Sequence, residues 1–297
     1  MVAQLDGPKA ANNTAGARRR GGLENIASKK SAMKEAKPNP CIACPGHCCS
    51  RNLINVCGYD AWVIARELGV SPTDFLAFAQ VEKQKTPNSI RLPASEKSYC
   101  LVLNMSQQPD GSHRCMFALN LPHDQLRCGI YAFRPIICRA YPFTLEGGQV
   151  AVKPSAFCPE EGTWNLYDLD LPSLQQQLVR FEMEFCIYGL IVADWNEHVA
   201  QQPALEELDF RPFVNIVMDV YDQLEVVRAG VPSDAWPEIW NRCREFISDG
   251  INPLESEEMK SRQPHAWERW LQDIHQVVED AVGKRFASAR MAEVCCG

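Results

Sequence analysis

Long apolar runs are missing from this sequence. No stretch approaches the roughly 18–20 apolar residues that a membrane-spanning helix needs, and the first residues lack the apolar segment of a secretion signal. We therefore expect a cytoplasmic protein with no membrane partner. Thiols are kept reduced in the cytoplasm, so fourteen cysteines in 297 residues favour metal ligands and buried thiols over a disulfide framework.

Positive charge is scarce outside the first 38 residues. The formal net charge is −7, yet residues 1–38 hold eight Lys and Arg against three acidic residues. This segment has no apolar periodicity and is rich in Gly, Ala, Asn and Lys, which predicts disorder. The remainder is acidic and therefore a poor non-specific binder of nucleic acid. A nucleic-acid contact is expected only from this basic segment, if at all.

Two enzyme motifs are also absent. No Gly-x-Gly-x-x-Gly fingerprint marks a Rossmann-type methyltransferase. The Cys-x3-Cys-x2-Cys motif of radical-SAM enzymes is not formed either, because the first four cysteines are spaced Cys-x2-Cys-x3-Cys-Cys. The sequence therefore indicates no catalytic residue.

Clustered cysteines are what the sequence does contain. Four thiols fall within residues 41–49, and a second set of four, at wider spacing, lies between residues 115 and 158. A thiolate is the form that binds a metal, and several must converge on one point in space. We predict that all eight are metal ligands: Cys41, Cys44, Cys48, Cys49, Cys115, Cys128, Cys138 and Cys158.

The first cluster constrains how the ligands divide. Cys41 and Cys44 can face one ion, because a tight turn brings the ends of Cys-x2-Cys together. Cys48 can join them, since Pro45-Gly46 reverses the chain. Adjacent side chains point apart on a strand and about 100° apart on a helix, so we do not expect one ion to take both Cys48 and Cys49. Two neighbouring centres, or one polynuclear centre, remain open.

Thiolate sets bind both zinc and iron–sulfur clusters. Four thiolates around Zn²⁺ or a [4Fe–4S]²⁺ core leave a net charge of about −2. Arg134 and Arg139 lie within four residues of Cys138, and their donors could offset that charge and hydrogen-bond to sulfur. We interpret both as cofactor-binding residues and place an iron–sulfur cluster, of the [4Fe–4S] type, ahead of zinc. The alternative is that both arginines form surface salt bridges.

The secondary-structure pattern changes near residue 165. Before it, the sequence predicts a helix over 59–69, another beginning at Ser71, strands at 99–104 and 113–118, and a hairpin of 141–146 with 149–153. After it, apolar residues four and three apart predict four helices. We expect an α+β, mostly helical fold in which a small cysteine-rich region with short strands packs on a C-terminal helical bundle.

The same change suggests domain boundaries. We predict a disordered basic tail (1–38), a cysteine-cluster metal-binding domain (39–165), a helical domain (166–290) and a flexible tail (291–297).

The cysteines and their neighbours carry a family resemblance. The sequence reads Cys41-x2-Cys44-x3-Cys48-Cys49, then Cys115-Met116-Phe117, then Cys128-Gly129-Ile130-Tyr131-x2-Arg134-Pro135-x2-Cys138-Arg139-x-Tyr141-Pro142-Phe143, and finally Cys158. Over roughly residues 39–160 it resembles the YkgJ-type cysteine-cluster family, which is described as a zinc- or iron-chelating domain. Flagellin lysine N-methylase is similar and is described as carrying an iron–sulfur cluster, so the resemblance implies metal binding more than a reaction.

Three functions follow. The first is a cytoplasmic metal-binding protein that holds an iron–sulfur cluster or zinc. The second is an iron–sulfur-dependent, lysine N-methylase-like transferase that uses S-adenosylmethionine on a protein substrate. The third is a zinc-stabilised interaction module whose basic tail contacts an anionic partner.

Overall fold

The computed structural model describes residues 46–81, 88–92, 97–122, 125–153, 170–201, 210–249, 252–255 and 265–296. The described residues form one compact unit. The predicted basic tail, with all of its charges, lies outside them. The fold class predicted from the sequence is confirmed: short antiparallel strand pairs precede a helical C-terminal region.

The cysteine-rich region, up to residue 153, is built from short elements. In chain order they are α1 (His47–Arg51), α2 (Gly58–Leu68), a 3-10 turn (Pro72–Asp74), β1 (Leu76–Val81), β2 (Ile90–Arg91), β3 (Ser98–Leu103), β4 (Met105–Gln107), β5 (His113–Cys115), β6 (Ala118–Leu121), β7 (Gln125–Cys128), a 3-10 turn (Tyr131–Phe133), α3 (Ile136–Ala140), β8 (Phe143–Glu146) and β9 (Gln149–Val152).

Helix α2 forms where the sequence predicts it. Asp60 in its first turn accepts a hydrogen bond from the backbone N–H of Cys57, the residue before the helix. Gly69 ends the helix in the left-handed conformation, with φ of 65°, which glycine adopts without steric cost. The hydrogen bond at Cys57 and the left-handed Gly69 therefore define where α2 begins and ends.

The helix predicted to begin at Ser71 is wrong beyond its first turn. Ser71 does accept a hydrogen bond from the backbone of Thr73, but the turn ends at Asp74 and the chain enters β1. Strand β1 pairs with β3 along its whole length, with Phe78 opposite Leu101, and β3 also pairs with β2. Strand pairing therefore overrides a good helix-start signal.

Three hairpins follow this sheet: β4 with β5, β6 with β7, and β8 with β9. The strand predicted at 99–104 is β3, but the strand predicted at 113–118 is interrupted by a turn at residues 116–117, between β5 and β6. β3 and β5 do not pair with each other. The β6–β7 hairpin was not predicted. The β8–β9 hairpin is confirmed, and its turn residues Gly147 and Gly148 both have positive φ, 55° and 74°, as a two-residue hairpin turn requires.

Four long helices make up the C-terminal region and confirm the apolar periodicity: α4 (Leu171–Ala200), α5 (Arg211–Gly230), α6 (Trp236–Ser248) and α7 (Ala266–Cys296). Helix α7 continues to Cys296, through residues predicted to form a flexible tail. None of the described helices has a segment long and apolar enough to cross a membrane.

The two regions share one core. Helix α4 packs against α6 and α7, and also against α2, α3 and the β8–β9 hairpin. One continuous cluster of buried side chains includes Val56 and Ile64 from the cysteine-rich region and Phe213 and Trp267 from the helices. The helical bundle therefore supports the elements that carry the thiols.

Candidate metal centre

Five of the eight predicted ligands lie in the described residues, and four chain segments carry them. Cys48 and Cys49 lie on α1, Cys115 ends β5, Cys128 ends β7, and Cys138 lies on α3. Helix α1 packs directly on β5, so thiols that are about 66 residues apart in sequence become neighbours. None of the five forms a disulfide bond.

Helix α1 depends on a glycine at its start. Gly46 has φ of 78°, and its carbonyl accepts hydrogen bonds from the backbone N–H groups of Cys49 and Ser50. A β-carbon at residue 46 would lie 2.6 Å from Cβ of Leu126 on β7. Only glycine permits both this positive φ and this close approach of the backbone to Leu126. The close approach brings the thiols of α1 next to the hairpin that carries Cys128.

Cys48 and Cys49 form a thiol pair. Their Sγ atoms lie 3.9 Å apart. The hydrogen bond from Cys49 holds the pKa of Cys48 below its ordinary value, at about 6, and the same bond raises the pKa of Cys49. Two sulfurs bound tetrahedrally at 2.3 Å to one zinc ion lie roughly 3.8 Å apart. Adjacency therefore does not by itself assign these two thiols to different ions, contrary to the expectation from side-chain directions.

Cys115 and Cys128 have similar local surroundings. Burial raises the pKa of each thiol, and a backbone N–H two residues ahead opposes that rise: Phe117 for Cys115 and Ile130 for Cys128. An N–H donor favours the thiolate over the thiol. Each of these cysteines therefore ends a strand and is followed by a turn that stabilises a sulfur anion.

Cys138 is a partly buried thiol on α3. Burial is the main cause that raises its pKa, and negative charge on Asp60, Cys48, Cys115 or Cys128 raises it further. Cys48 likewise raises the pKa of Cys115 and of Cys128. Thiols from all four segments are therefore within electrostatic reach of one another.

Arg134 is a cation whose charge acts on these thiols. Its positive charge lowers the pKa of Cys48 and of Cys128. The guanidinium lies over the Tyr131 ring, 4.2 Å from the ring centre, and its buried Nε has no hydrogen-bond partner among the described residues. A buried charged donor without a partner is costly, so this nitrogen indicates room for an anionic group.

Arg139 is placed differently. Its Nε donates a hydrogen bond of 2.9 Å to the carbonyl oxygen of Arg134. Burial raises the pKa of Tyr59, and the charge of Arg139 is one of those that oppose this rise. Arg139 therefore braces the backbone that carries Arg134. A direct contact of Arg139 with a cofactor stays a prediction.

Sequence reasoning missed Asp60. This carboxylate is 2% exposed and accepts a hydrogen bond of 2.8 Å from the backbone N–H of Ile136, the first residue of α3. The signal that could have revealed part of this role is the spacing from Cys57 to Asp60, which is that of a helix capping box. No sequence pattern links Asp60 to Ile136, 76 residues away.

The remaining predicted ligands, Cys41, Cys44 and Cys158, lie outside the described residues. Within the described ranges, no group of three or more His, Cys, Asp or Glu side chains is arranged to hold a metal ion. The donor chemistry nevertheless fits a thiolate-bound metal: soft sulfur ligands, backbone N–H donors to two of them, and a buried arginine nitrogen that lacks a partner.

The fold and the thiol cluster together define an α+β protein with a cysteine-rich candidate metal centre supported by a helical bundle. Residues 40–159 match the CxxCxxCC family, described as "Putative zinc- or iron-chelating domain". The resemblance noted in the sequence is thereby confirmed for this segment, and the match supports binding of zinc or iron. No curated protein and no solved structure shows a significant match to the chain.

Proposed function

We propose that this is a cytoplasmic metal-binding protein whose clustered cysteines hold an iron–sulfur cluster. The ligands are drawn from Cys41, Cys44, Cys48, Cys49, Cys115, Cys128, Cys138 and Cys158. The observation that carries this proposal is that thiols from four separate segments lie within electrostatic reach of one another, and that a buried arginine nitrogen acting on them has no hydrogen-bond partner among the described residues. An iron–sulfur cluster supplies one-electron transfer when bound.

Charge supports an anionic occupant. Thiolates that bind a metal leave excess negative charge around the centre, and Arg134 already stabilises negative charge on Cys48 and Cys128. The N–H groups of Phe117 and Ile130 act in the same direction. Hydrogen bonds to cluster sulfurs are among the features that set the potential of an iron–sulfur centre.

Zinc is the second candidate, and one distance favours it. The 3.9 Å between the sulfurs of Cys48 and Cys49 is close to the separation of two thiolates on one tetrahedral ion. In this case the metal would have a structural role, and residues 46–153 would form a zinc-stabilised interaction module. The lysine N-methylase-like alternative rests on the resemblance alone.

The deciding experiment is anaerobic purification followed by metal and acid-labile sulfide analysis, visible absorption and Mössbauer spectroscopy. Iron with stoichiometric sulfide and broad visible absorption is the expected result. Colourless protein with stoichiometric zinc would instead establish the second candidate. A folded, reduced sample free of any transition metal would refute both.

A further inference from the structure

A single buried carboxylate connects the beginnings of two helices. One oxygen of Asp60, Oδ1, accepts from the N–H of Ile136 at 2.8 Å. The other, Oδ2, accepts from the N–H of Cys57 at 3.3 Å and from its thiol at 3.5 Å. Cys57 precedes α2 and Ile136 begins α3, so Asp60 joins a helix of the shared core to the helix that carries Cys138.

Helix α3 needs such an anchor. It has five residues, and a helix this short is not stable in isolation. Its first N–H, on Ile136, is buried, and leaving a buried donor unpaired costs about 1–3 kcal/mol. Pro135 precedes it and accepts from the N–H groups of Cys138 and Arg139, so the turn that contains Cys138 starts at the point held by Asp60.

The residues around this anchor point belong to the candidate metal centre. Cys138 lies two residues after Ile136, and Arg134 lies two residues before it. Arg139 in turn holds the carbonyl of Arg134. A shift of the start of α3 would therefore move a thiol and the neighbouring guanidinium together.

We propose that Asp60 is a positioning residue of the metal centre, which sets the location of Cys138 and Arg134 relative to the thiols on α1, β5 and β7. This inference rests on the proposed function, but its geometry does not require a particular metal. It assigns a role in the centre to a residue that lies on the core helix α2 and is not a ligand.

The sharpest test removes the hydrogen bond from the donor side. Ile136→Pro eliminates the N–H that Asp60 accepts, and proline is well tolerated at the first position of a helix. Ile136→Val is the matched control, because it also shortens a buried side chain yet keeps the N–H. A second pair acts from the other side: Asp60→Leu has no acceptor, whereas Asp60→Asn keeps one oxygen for Ile136.

Two readouts are measured on the full-length, reduced protein. The first is metal affinity by competition with a chelator. The second is the rate at which iodoacetamide alkylates Cys138 in metal-free protein, followed by mass spectrometry. We expect Ile136→Pro and Asp60→Leu to weaken metal binding about 10- to 100-fold, as loss of groups that orient ligands does, and to speed alkylation of Cys138. Ile136→Val should stay close to wild type. Asp60→Asn keeps the bond to Ile136 but places an NH2 group against the N–H of Cys57, so it should fall between Asp60→Leu and wild type.

Val278→Ala controls for general loss of core stability, because Val278 is fully buried on α7 in the helical region. It should lower the unfolding temperature without speeding alkylation of Cys138. The proposal would be overturned if Ile136→Pro matched Ile136→Val, and Asp60→Leu matched Asp60→Asn, in both alkylation rate and metal affinity. A metal-free wild type would refute the proposed function, while the alkylation rates would still decide the role of Asp60.

Discussion

The two regions of the protein enclose their cysteines in different environments. In the helical region, Cys243 is fully buried. Burial is the main cause that raises its pKa, the charges of Cys186 and Glu184 add to the rise, and its own backbone N–H opposes it. In the cysteine-rich region, burial also raises the pKa of Cys115 and Cys128, but the N–H groups of the turns that follow oppose it in both, and the charge of Arg134 opposes it in Cys128. Apolar packing alone yields an inert neutral thiol, whereas the second environment is suited to thiolates and therefore to metal.

The same two regions differ in the length of their elements. Helices α4 to α7 each bury an apolar face over several turns. The thiols are instead carried by two five-residue helices and by two-stranded hairpins, which are marginal on their own. We therefore expect the helical region to be the more stable of the two without metal, and bound metal to stabilise the cysteine-rich region further.

The largest effect should come from a thiol in the cysteine-rich region. Cys138→Ser is expected to lose metal and soluble yield together, because formation of a structural metal site contributes about 10–16 kcal/mol of folding free energy in zinc peptides. Cys243→Ser is the matched control: it places a hydroxyl in the apolar core of the helical region and should lower stability, yet keep full metal content. Metal stoichiometry and circular dichroism of both variants make the comparison.

Normal metal content in Cys138→Ser would remove that thiol from the centre. Equal metal loss in both variants would mean that metal content merely follows global stability.

The next largest effect should come from breaking a buried ion pair. Arg228 donates to Glu184 at 2.6 Å, and Glu184 is almost completely buried. Arg228→Met should cost up to about 3–5 kcal/mol, because it leaves the buried carboxylate with the longer, 4.0 Å pair to Arg180. The double variant Glu184→Leu/Arg228→Met should recover most of that loss. Urea unfolding of the two variants measures the difference, and equal stabilities would show that the pair itself, rather than the isolated charge, is what matters.

A glycine at the junction of the two regions sharpens the comparison further. A β-carbon at Gly58 would lie 2.6 Å from Cε2 of Tyr221 and 2.9 Å from Cγ1 of Val217. Gly58→Ala should therefore destabilise the protein by about 1–3 kcal/mol, the usual cost of overpacking. At Gly283, also in a helix, a β-carbon meets nothing within 4 Å, so Gly283→Ala should stabilise by up to about 1 kcal/mol.

Thermal unfolding of the two glycine variants tests whether the regions are packed this closely. A neutral Gly58→Ala would mean that α2 can move away from α5, and the shared core would then be looser than the structure shows.

Sequence patterns predicted the helical region better than the cysteine-rich one, for a physical reason. The apolar residues of α4, such as Leu178, Tyr188 and Val192, repeat at helical spacing, and burial of one face is enough to specify the helix. Strand β1 was instead read as helix, because the start signal at Ser71 is local and the partner strand that overrides it lies more than 20 residues away.

For the candidate metal centre too, the sequence indicates features that lie close together along the chain and misses contacts between distant residues. The clustering of cysteines predicts thiolate ligands, and proximity in sequence to Cys138 singles out Arg134 and Arg139. The sequence could not distinguish Arg134, beside the thiols, from Arg139, which binds its backbone. Nor could it reveal Asp60, since its hydrogen bond to Ile136 exists only once two distant helices pack together.

The smallest effect should come from Arg139→Ala. It removes one hydrogen bond to the Arg134 carbonyl, worth about 0.5–1.5 kcal/mol, and takes no donor away from the thiols. We expect full metal content with a modest change in the redox potential of an iron–sulfur centre, or in the melting temperature of a zinc-bound one, because Arg134 is held less firmly. Arg242→Ala removes the same charge from an exposed pair with Glu245 in the helical region and should change neither quantity. If the two variants behave alike, Arg139 acts only as a surface charge, and the brace between α3 and Arg134 has no influence on the centre.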